Sequence, residues 1–134
     1  MYGYRDGEWS VDVVEPPAAE PISLATAKLH CRVDSGEEDE LLELAIAAAR
    51  EYVESFTRRA LVSQTLRLSL DVCPLRELIL PRPPLASVVE IAYDDEDGEE
   101  QTLLDPPDGY TVRRTAPGRV RLQDGVRCVG RPVR

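Results

Sequence analysis

The sequence of 134 residues has few of the side chains that usually bind metals. It has one histidine, His30, and three widely spaced cysteines, Cys31, Cys73 and Cys128. An odd number at this spacing fits neither a disulfide framework nor a CxxC metal motif, which favours plain buried thiols. A metal site would need His30 with ligands such as Cys31 or Asp34, and packing is the preferred role of this histidine.

Signatures of the common enzyme classes are also missing. The chain has no Gly-x-Ser-x-Gly motif, no P-loop and no Gly-x-Gly-x-x-Gly motif. Its carboxylates are concentrated at predicted helix starts and hairpin tips, which are solvated positions that do not prepare a carboxylate for acid–base catalysis. A small enzyme is therefore a poorly supported hypothesis for this chain, and it is the least favoured of the three functions considered below. We predict no catalytic residue, no metal and no cofactor.

Long apolar segments are absent as well. No run of eighteen apolar residues is present, so no membrane span is expected. The first ten residues, MYGYRDGEWS, have no apolar signal region, and secretion is not expected. The length predicts one domain, residues 1–134, with a modest core.

The charge is distributed unevenly along the chain. The net charge is −9, but residues 113–134 hold seven arginines and one acid, Asp124, so this segment carries +6 and the preceding 112 residues carry −15. The basic segment raises the alternative hypothesis of a nucleic-acid-binding module, although it has no aromatic residue for base stacking. Arg113, Arg119 and Arg121 could equally pair with acids of a neighbouring subunit or partner protein.

Residues 37–56, EEDELLELAIAAAREYVESF, have the strongest helical pattern in the chain. Apolar side chains recur at steps of three and four, which predicts a long central helix. Ser35 stands three residues before Glu38 and predicts a capping box. Acids at the start of the helix, with Arg58 and Arg59 near its end, complement the helix dipole.

The alanines of this helix form a smooth flank that another helix could approach closely. Packing of the flank inside one chain is favoured by the usual demands of core packing. The alternative is a subunit interface that includes Ala45, Ala48, Ala49 and Tyr52.

Residues 1–21 are predicted to be an extended arm, since Pro16, Pro17 and Pro21 prevent a continuous helix. Tyr2, Tyr4 and Trp9 could anchor this arm on its own core or on a neighbouring chain. We expect both the arm and a basic tail, residues 123–134, to be mobile in the isolated protein and ordered in an assembly.

Between these ends the pattern predicts a helical part, residues 22–62, and a β part, residues 63–122. Ser23 caps a short helix over residues 24–31, which forms a helical hairpin with the central helix. Asp97-Gly98 indicates a hairpin turn within an acidic tip whose spacing does not fit a calcium loop. Strands are predicted at residues 65–70, 77–80, 88–93, 101–104, 110–113 and 119–122. The fold class is α+β: an N-terminal two-helix hairpin with a long central helix, then a small, mostly antiparallel sheet.

Several short segments follow one another in a recognisable order. They are Pro21–Lys28 (PISLATAK), Arg32–Asp34 (RVD), Glu38–Leu42 (EDELL), Ile46–Glu54 (IAAAREYVE), Arg59–Thr65 (RALVSQT) and Leu80–Leu85 (LPRPPL), with Val88 after them. In this order they resemble the head–tail connector (adaptor, head-completion) family of tailed phages and gene transfer agents, and the similarity spans roughly residues 21–122.

The resemblance implies a structural virion protein of the particle neck, assembled in the bacterial cytoplasm. Such proteins form a homo-oligomeric ring, usually a dodecamer, beneath the portal protein. The ring extends the DNA channel and receives the next connector or tail protein. DNA would pass without specific binding, which suits an acidic body, because neutralisation of phosphates by Lys and Arg is what makes binding strong.

Two features depart from the family pattern. Arg58 stands where a glycine is expected after the central helix, which predicts a helix end without a left-handed glycine cap. Longer members continue into a C-terminal apolar helix that helps the portal contact, and the present sequence ends at Arg134 without it. The candidate interface residues are Trp9, Ala45, Ala48, Ala49, Tyr52, Arg113, Arg119, Arg121 and Arg127.

Overall fold

The computed structural model describes residues 9–71, 77–95, 97–103 and 106–123. It confirms the α+β class, with two helices and small antiparallel sheets. In chain order the elements are β1 (Trp9–Glu15), α1 (Leu24–Cys31), α2 (Asp39–Thr57), β2 (Thr65–Leu70), β3 (Glu77–Ile79), β4 (Ala92–Asp94), β5 (Glu100–Thr102), β6 (Tyr110–Arg113) and β7 (Arg119–Leu122).

The first helix has the predicted bounds and cap. The Ser23 hydroxyl accepts a hydrogen bond from the Thr26 backbone N–H at 3.2 Å, which satisfies one free donor of the first turn. The helix ends at Arg32, which has a left-handed backbone with φ of 58°. Lys28 forms an ion pair with Asp39 and so links α1 to the first turn of α2.

The second helix begins later than predicted, and the Ser35–Glu38 capping box is wrong. Glu38 is itself the N-cap, and no side chain makes a capping hydrogen bond there. Ser35 lies three residues before that cap, out of reach of the first turn, and its carbonyl oxygen accepts a hydrogen bond from Lys28 Nζ. The acids Asp39 and Glu40 in the first turn still complement the dipole.

The end of α2 has a left-handed cap, and an arginine forms it. Arg58 has φ of 55°, and the backbone N–H groups of Arg58 and Arg59 both donate to the Glu54 carbonyl oxygen. A residue with a Cβ adopts this conformation at a cost that glycine avoids. Arg58 therefore adopts the left-handed conformation that glycine usually takes at a helix end.

The N-terminal arm contributes a strand, which corrects the predicted order of helices first and sheet second. β1 pairs antiparallel with β2, with Trp9 opposite Leu70 and Val13 opposite Leu66. The arm is thus anchored on its own chain over residues 9–15, and the expectation of a free arm is wrong there. Alternation of apolar and polar residues in β1 is the strand signal, which the prolines that follow obscured. Tyr2 and Tyr4 lie outside the described residues.

The C-terminal half contains two further sheets. β3, β7 and β6 form a three-stranded antiparallel sheet in that order, and β6 and β7 have the predicted bounds. Tyr110 and Val120 are buried on one face of this sheet. β4 and β5 form a separate hairpin, and β4 is shorter than predicted. The described β elements are three small sheets and not a single one.

The acidic hairpin tip is organised by one carboxylate. Asp95 accepts hydrogen bonds from the backbone N–H groups of Asp97 and Glu99 and from the Gln101 side chain, and Gly98 supplies a positive φ of 83°. The bond from Glu99 is the largest of the effects that lower the pKa of Asp95. The tip is therefore a hydrogen-bonded turn, as the Asp-Gly signal predicts.

Cys31 is an exposed free thiol, so the prediction of a buried thiol is wrong for this residue. It ends α1, a helix that buries none of its residues. Cys73 and Cys128 lie outside the described residues. In the described part of the chain, no helix is long and apolar enough to span a membrane.

Candidate functional site

The apolar side of α2 points to solvent. Leu41, Tyr52 and Phe56 are 66%, 72% and 80% exposed. The rings of Tyr52 and Phe56, one turn apart, are stacked with centroids 6.4 Å apart. Helix geometry places six exposed residues on one side of α2, and we call this surface the α2 face. It consists of Leu41, Leu44, Ala45, Ala48, Tyr52 and Phe56, with Ala49 exposed at its edge.

The opposite side of α2 carries the two buried residues of this helix, and both are charged. Glu54 is fully buried and Arg50 is 8% exposed. The Arg50 guanidinium donates to Glu54 at 3.0 Å through Nη1 and to Glu20 at 2.8 Å through Nε. Glu54 also accepts a hydrogen bond from the Leu61 backbone N–H at 2.8 Å and one from the Gln64 amide at 3.1 Å. α2 is therefore an amphipathic helix whose apolar side faces outward.

The charge states of this buried pair follow from its contacts. Burial by itself would raise the pKa of Glu54, but the hydrogen bonds from Leu61, Gln64 and Arg50 outweigh burial and lower that pKa. The hydrogen bond to Glu20 is the largest effect that raises the pKa of Arg50. Both groups stay charged, and the pair joins α2 to the segment before α1 and to the loop before β2.

This arrangement bears on one of the two interpretations of the alanine flank, packing inside one chain. Ala45, Ala48 and Ala49 are all exposed, so the interpretation that they pack inside one chain is wrong. Amphipathicity reveals that a helix has two sides but not which one the rest of the chain covers. Here the ion pair and hydrogen bond between Arg50 and Glu54 allow these two charged residues to be buried on the inner side of α2. The subunit interface at the alanine flank stays a prediction.

The predicted arginines Arg113, Arg119 and Arg121 share one face of the three-stranded sheet, which we call the basic sheet face. Arg113 lies opposite Arg119 in the register, and Arg121 lies opposite Glu77. Arg119 forms an ion pair with Glu77 at 2.6 Å, while Arg113 and Arg121 are exposed. No close backbone contact joins this sheet to α2 in the described ranges, so the two groups of candidate residues are separate. Arg127 lies outside those ranges.

Trp9, the remaining candidate, lies on β1 and is 46% exposed. A groove of about 330 Å³ lies at the end of α2, lined in part by Arg58, Arg59 and Pro83. Within the part of the chain that the structure describes, no group of three His, Cys, Asp or Glu side chains could hold a metal ion.

Glu20, Arg50, Glu54 and Gln64 were not predicted to have a role. Arg50 and Glu54 are one helical turn apart on the side opposite the alanines, which is a recognisable ion-pair spacing. Glu20 and Gln64 reach the pair from thirty and ten residues away, respectively. No local pattern could have found these two.

The exposed apolar side of α2 is the kind of surface that marks interaction sites. Residues 21–99, more than half of the chain, match the family described as phage gp6-like head-tail connector proteins. The chain belongs to this family. It is a family of connectors and not of enzymes.

A solved structure supports the fold over a longer range. The chain is similar to a chain in the neck of an empty GTA particle computed with C6 symmetry, with a TM-score of 0.66 and 24% sequence identity. The match covers 89% of the present chain and 63% of the neck chain. No curated protein matches the sequence.

Proposed function

We propose that the protein is a structural virion component that joins head to tail in the neck of a phage or phage-like particle. Copies form a ring beneath the portal protein, extend its DNA channel and receive the next connector or tail protein. Membership of the connector family and the likeness to a GTA neck chain support this function. Twelve copies, the usual number in the family, are compatible with the six-fold symmetry of that neck.

The observation that carries the proposal is the exposed α2 face. Monomeric proteins rarely leave a continuous apolar surface of this kind in water, and such surfaces mark interaction sites. Burial stabilises an assembly by roughly 25 cal/mol per Å² of apolar surface. The inner side of the helix is already occupied by Arg50 and Glu54, so the α2 face is available to a neighbouring subunit.

The helical part presents this face in our proposal. The ion pair of Lys28 with Asp39 holds α1 beside the first turn of α2, which supports the helical hairpin. The remaining candidates, Arg113 and Arg121, would meet acidic side chains of a neighbouring copy or of the portal. Arginine suits this role because its guanidinium binds carboxylates with two parallel hydrogen bonds.

DNA would pass through the ring without being held. The chain carries a net charge of −9, and residues 1–112 carry −15. The alternative of a nucleic-acid-binding module is not favoured, because one arginine of the basic sheet face, Arg119, is already paired with Glu77.

Electron microscopy tests the proposal directly. The purified protein, alone and mixed with its portal, should give ring-shaped particles with an axial channel. The parent particle should show the same ring between head and tail. A protein that stays monomeric alone and with the portal, and is absent from the neck, would refute the connector function.

A further inference from the structure

A second apolar surface lies on the two-stranded sheet of β1 and β2. In the register, Trp9, Val11 and Val13 lie opposite Leu70, Leu68 and Leu66. Paired residues share one face of a sheet, and alternate residues along a strand do so as well. All six apolar residues therefore lie on one face, which we call the β1–β2 face. The polar residues Ser10, Asp12, Arg67 and Ser69 lie on the other.

This β1–β2 face is only partly covered by its own chain. Trp9 and Val13 are about half exposed, at 46% and 52%. A two-stranded sheet is marginally stable in water and needs a covering element on its apolar face. Leu70, opposite Trp9 in the pairing, is only 3% exposed, so the uncovered part of the face lies on β1, at Trp9 and Val13. The α2 face does not cover it within the chain, since no close backbone contact joins α2 to β1 or β2 in the described ranges.

We propose that the α2 face of one copy packs against the β1–β2 face of the next copy. This inference rests on the proposed ring and names the surfaces that build it. Each copy would present one α2 face and one β1–β2 face to two different neighbours. Such a head-to-tail contact repeats around an axis and gives a ring where the rotation closes, whereas a self-complementary contact joins only two copies.

Charge favours this pairing over contact between two α2 faces. Glu40 and Glu51 are exposed along one edge of the α2 face, and Glu37 and Glu38 are exposed beside its first turn. An antiparallel pair of α2 helices would bring the two acidic edges together. A parallel pair would bring the two acidic starts together. Like charges at such contacts are destabilising. The β1–β2 face carries no charged residue, so it accepts the helix without this repulsion.

The β1–β2 face is long enough to cover the larger part of the α2 face. From Leu41 to Phe56 the α2 face extends over roughly 22 Å at 1.5 Å per residue. From Trp9 to Val13 the strand extends over about 13–16 Å at 3.3 Å per residue. The small side chains Ala45 and Ala48 lie in the middle of the α2 face, where the backbone can approach a sheet closely.

Crosslinking between two single-cysteine variants tests the pairing. The three native cysteines are first replaced by serine, and then Ala48→Cys is made in one chain and Val13→Cys in another chain that carries a tag of different mass. The two proteins are mixed, assembled and treated with a short bis-maleimide. We expect a mixed Ala48→Cys with Val13→Cys product and no product from either variant alone. The matched control is Ser10→Cys, which lies on the opposite, polar face of the same strand and should not crosslink to Ala48→Cys.

The outcomes separate this inference from the function it rests on. Rings that form without the mixed product, or with a self-crosslink of Ala48→Cys, overturn the pairing and leave the connector function standing. A Ser10→Cys product equal to that of Val13→Cys also overturns it. Absence of any ring, with the portal present as well, overturns both.

Discussion

Arg50 and Glu54 lie one turn apart on α2 and form a buried ion pair with an Nη1–Oε2 distance of 3.0 Å. The pair takes the place that apolar side chains usually occupy between a helix and the rest of a small domain. Through its hydrogen bonds with Glu20 and Gln64, the pair also joins segments that are distant in the sequence. The inner side of α2 is held by polar contacts, and the apolar side remains exposed.

Removal of the Glu54 carboxylate should destabilise the monomer strongly. In Glu54→Ala the N–H of Leu61 and the amide of Gln64 lose their acceptor, and Arg50 keeps Glu20 but loses its buried partner. Loss of one partner of a buried pair costs about 3–5 kcal/mol. The free energy of unfolding in urea at pH 7 measures this loss. The control is Glu51→Ala. The Glu51 side chain is 70% exposed and makes a long contact of 3.5 Å with Arg50, so we expect the free energy of unfolding to change by less than about 0.5 kcal/mol. Equal effects of the two variants would contradict the role of Glu54.

The Glu54 ion pair should also make stability depend on pH. The folded protein lowers the pKa of Glu54 below its ordinary value of 4.5. The carboxylate therefore contributes stability above that pH, and the contribution is lost as pH falls through the folded pKa. We expect the difference in free energy of unfolding between wild type and Glu54→Gln to shrink as pH falls below 4.5. Other carboxylates cancel in this difference, and a difference that stays constant with pH would contradict the prediction.

A glycine at the end of α2 should stabilise the protein. Arg58 has a left-handed backbone with φ of 55°, which costs a residue with a Cβ about 1 kcal/mol. We expect Arg58→Gly to raise the free energy of unfolding by about 0.5–1 kcal/mol. Arg59→Gly is the matched control, since it removes the same charge where no positive φ occurs, and it should not stabilise. If both variants lose stability alike, the prediction is wrong, and the contacts of the Arg58 side chain stabilise the fold by more than the strain of its backbone costs.

The α2 face should be required for assembly and not for folding. Ala48 is exposed at the centre of this face, so Ala48→Arg leaves the monomer folded but places a long charged side chain in the proposed contact. We expect loss of the ring in electron microscopy with an unchanged circular dichroism spectrum. Glu43→Arg puts the same side chain on the opposite side of α2 and should assemble normally. An unfolded Ala48→Arg monomer would show that the flank is internal, and a normal ring would remove it from the interface.

Sequence patterns predicted where the helices and strands of this fold lie better than they predicted which strands pair and which helix side is buried. The bounds of α1, β6 and β7 follow from caps and alternation that act within a few residues. The pairing of β1 with β2 joins positions about fifty residues apart, and the alternation in β1 was outweighed by the prolines after it. The outward direction of the α2 face depends on Glu20 and Gln64 meeting Arg50 and Glu54. That contact is tertiary, so the helix pattern predicts a candidate surface without saying what covers it.

Free protein should bind duplex DNA weakly at physiological salt. The net charge of −9 repels phosphates, with screening over about 8 Å, and a channel wall must let DNA slide. Two arginines of the basic sheet face, Arg113 and Arg121, are exposed and could make only a few phosphate contacts. We expect a dissociation constant no tighter than the roughly 10⁻⁴–10⁻⁶ M typical of non-specific binding, with a shallow dependence on salt, in fluorescence anisotropy with labelled duplex. Submicromolar affinity with a steep salt dependence, lost in Arg113→Ala/Arg121→Ala, would instead favour a nucleic-acid-binding module.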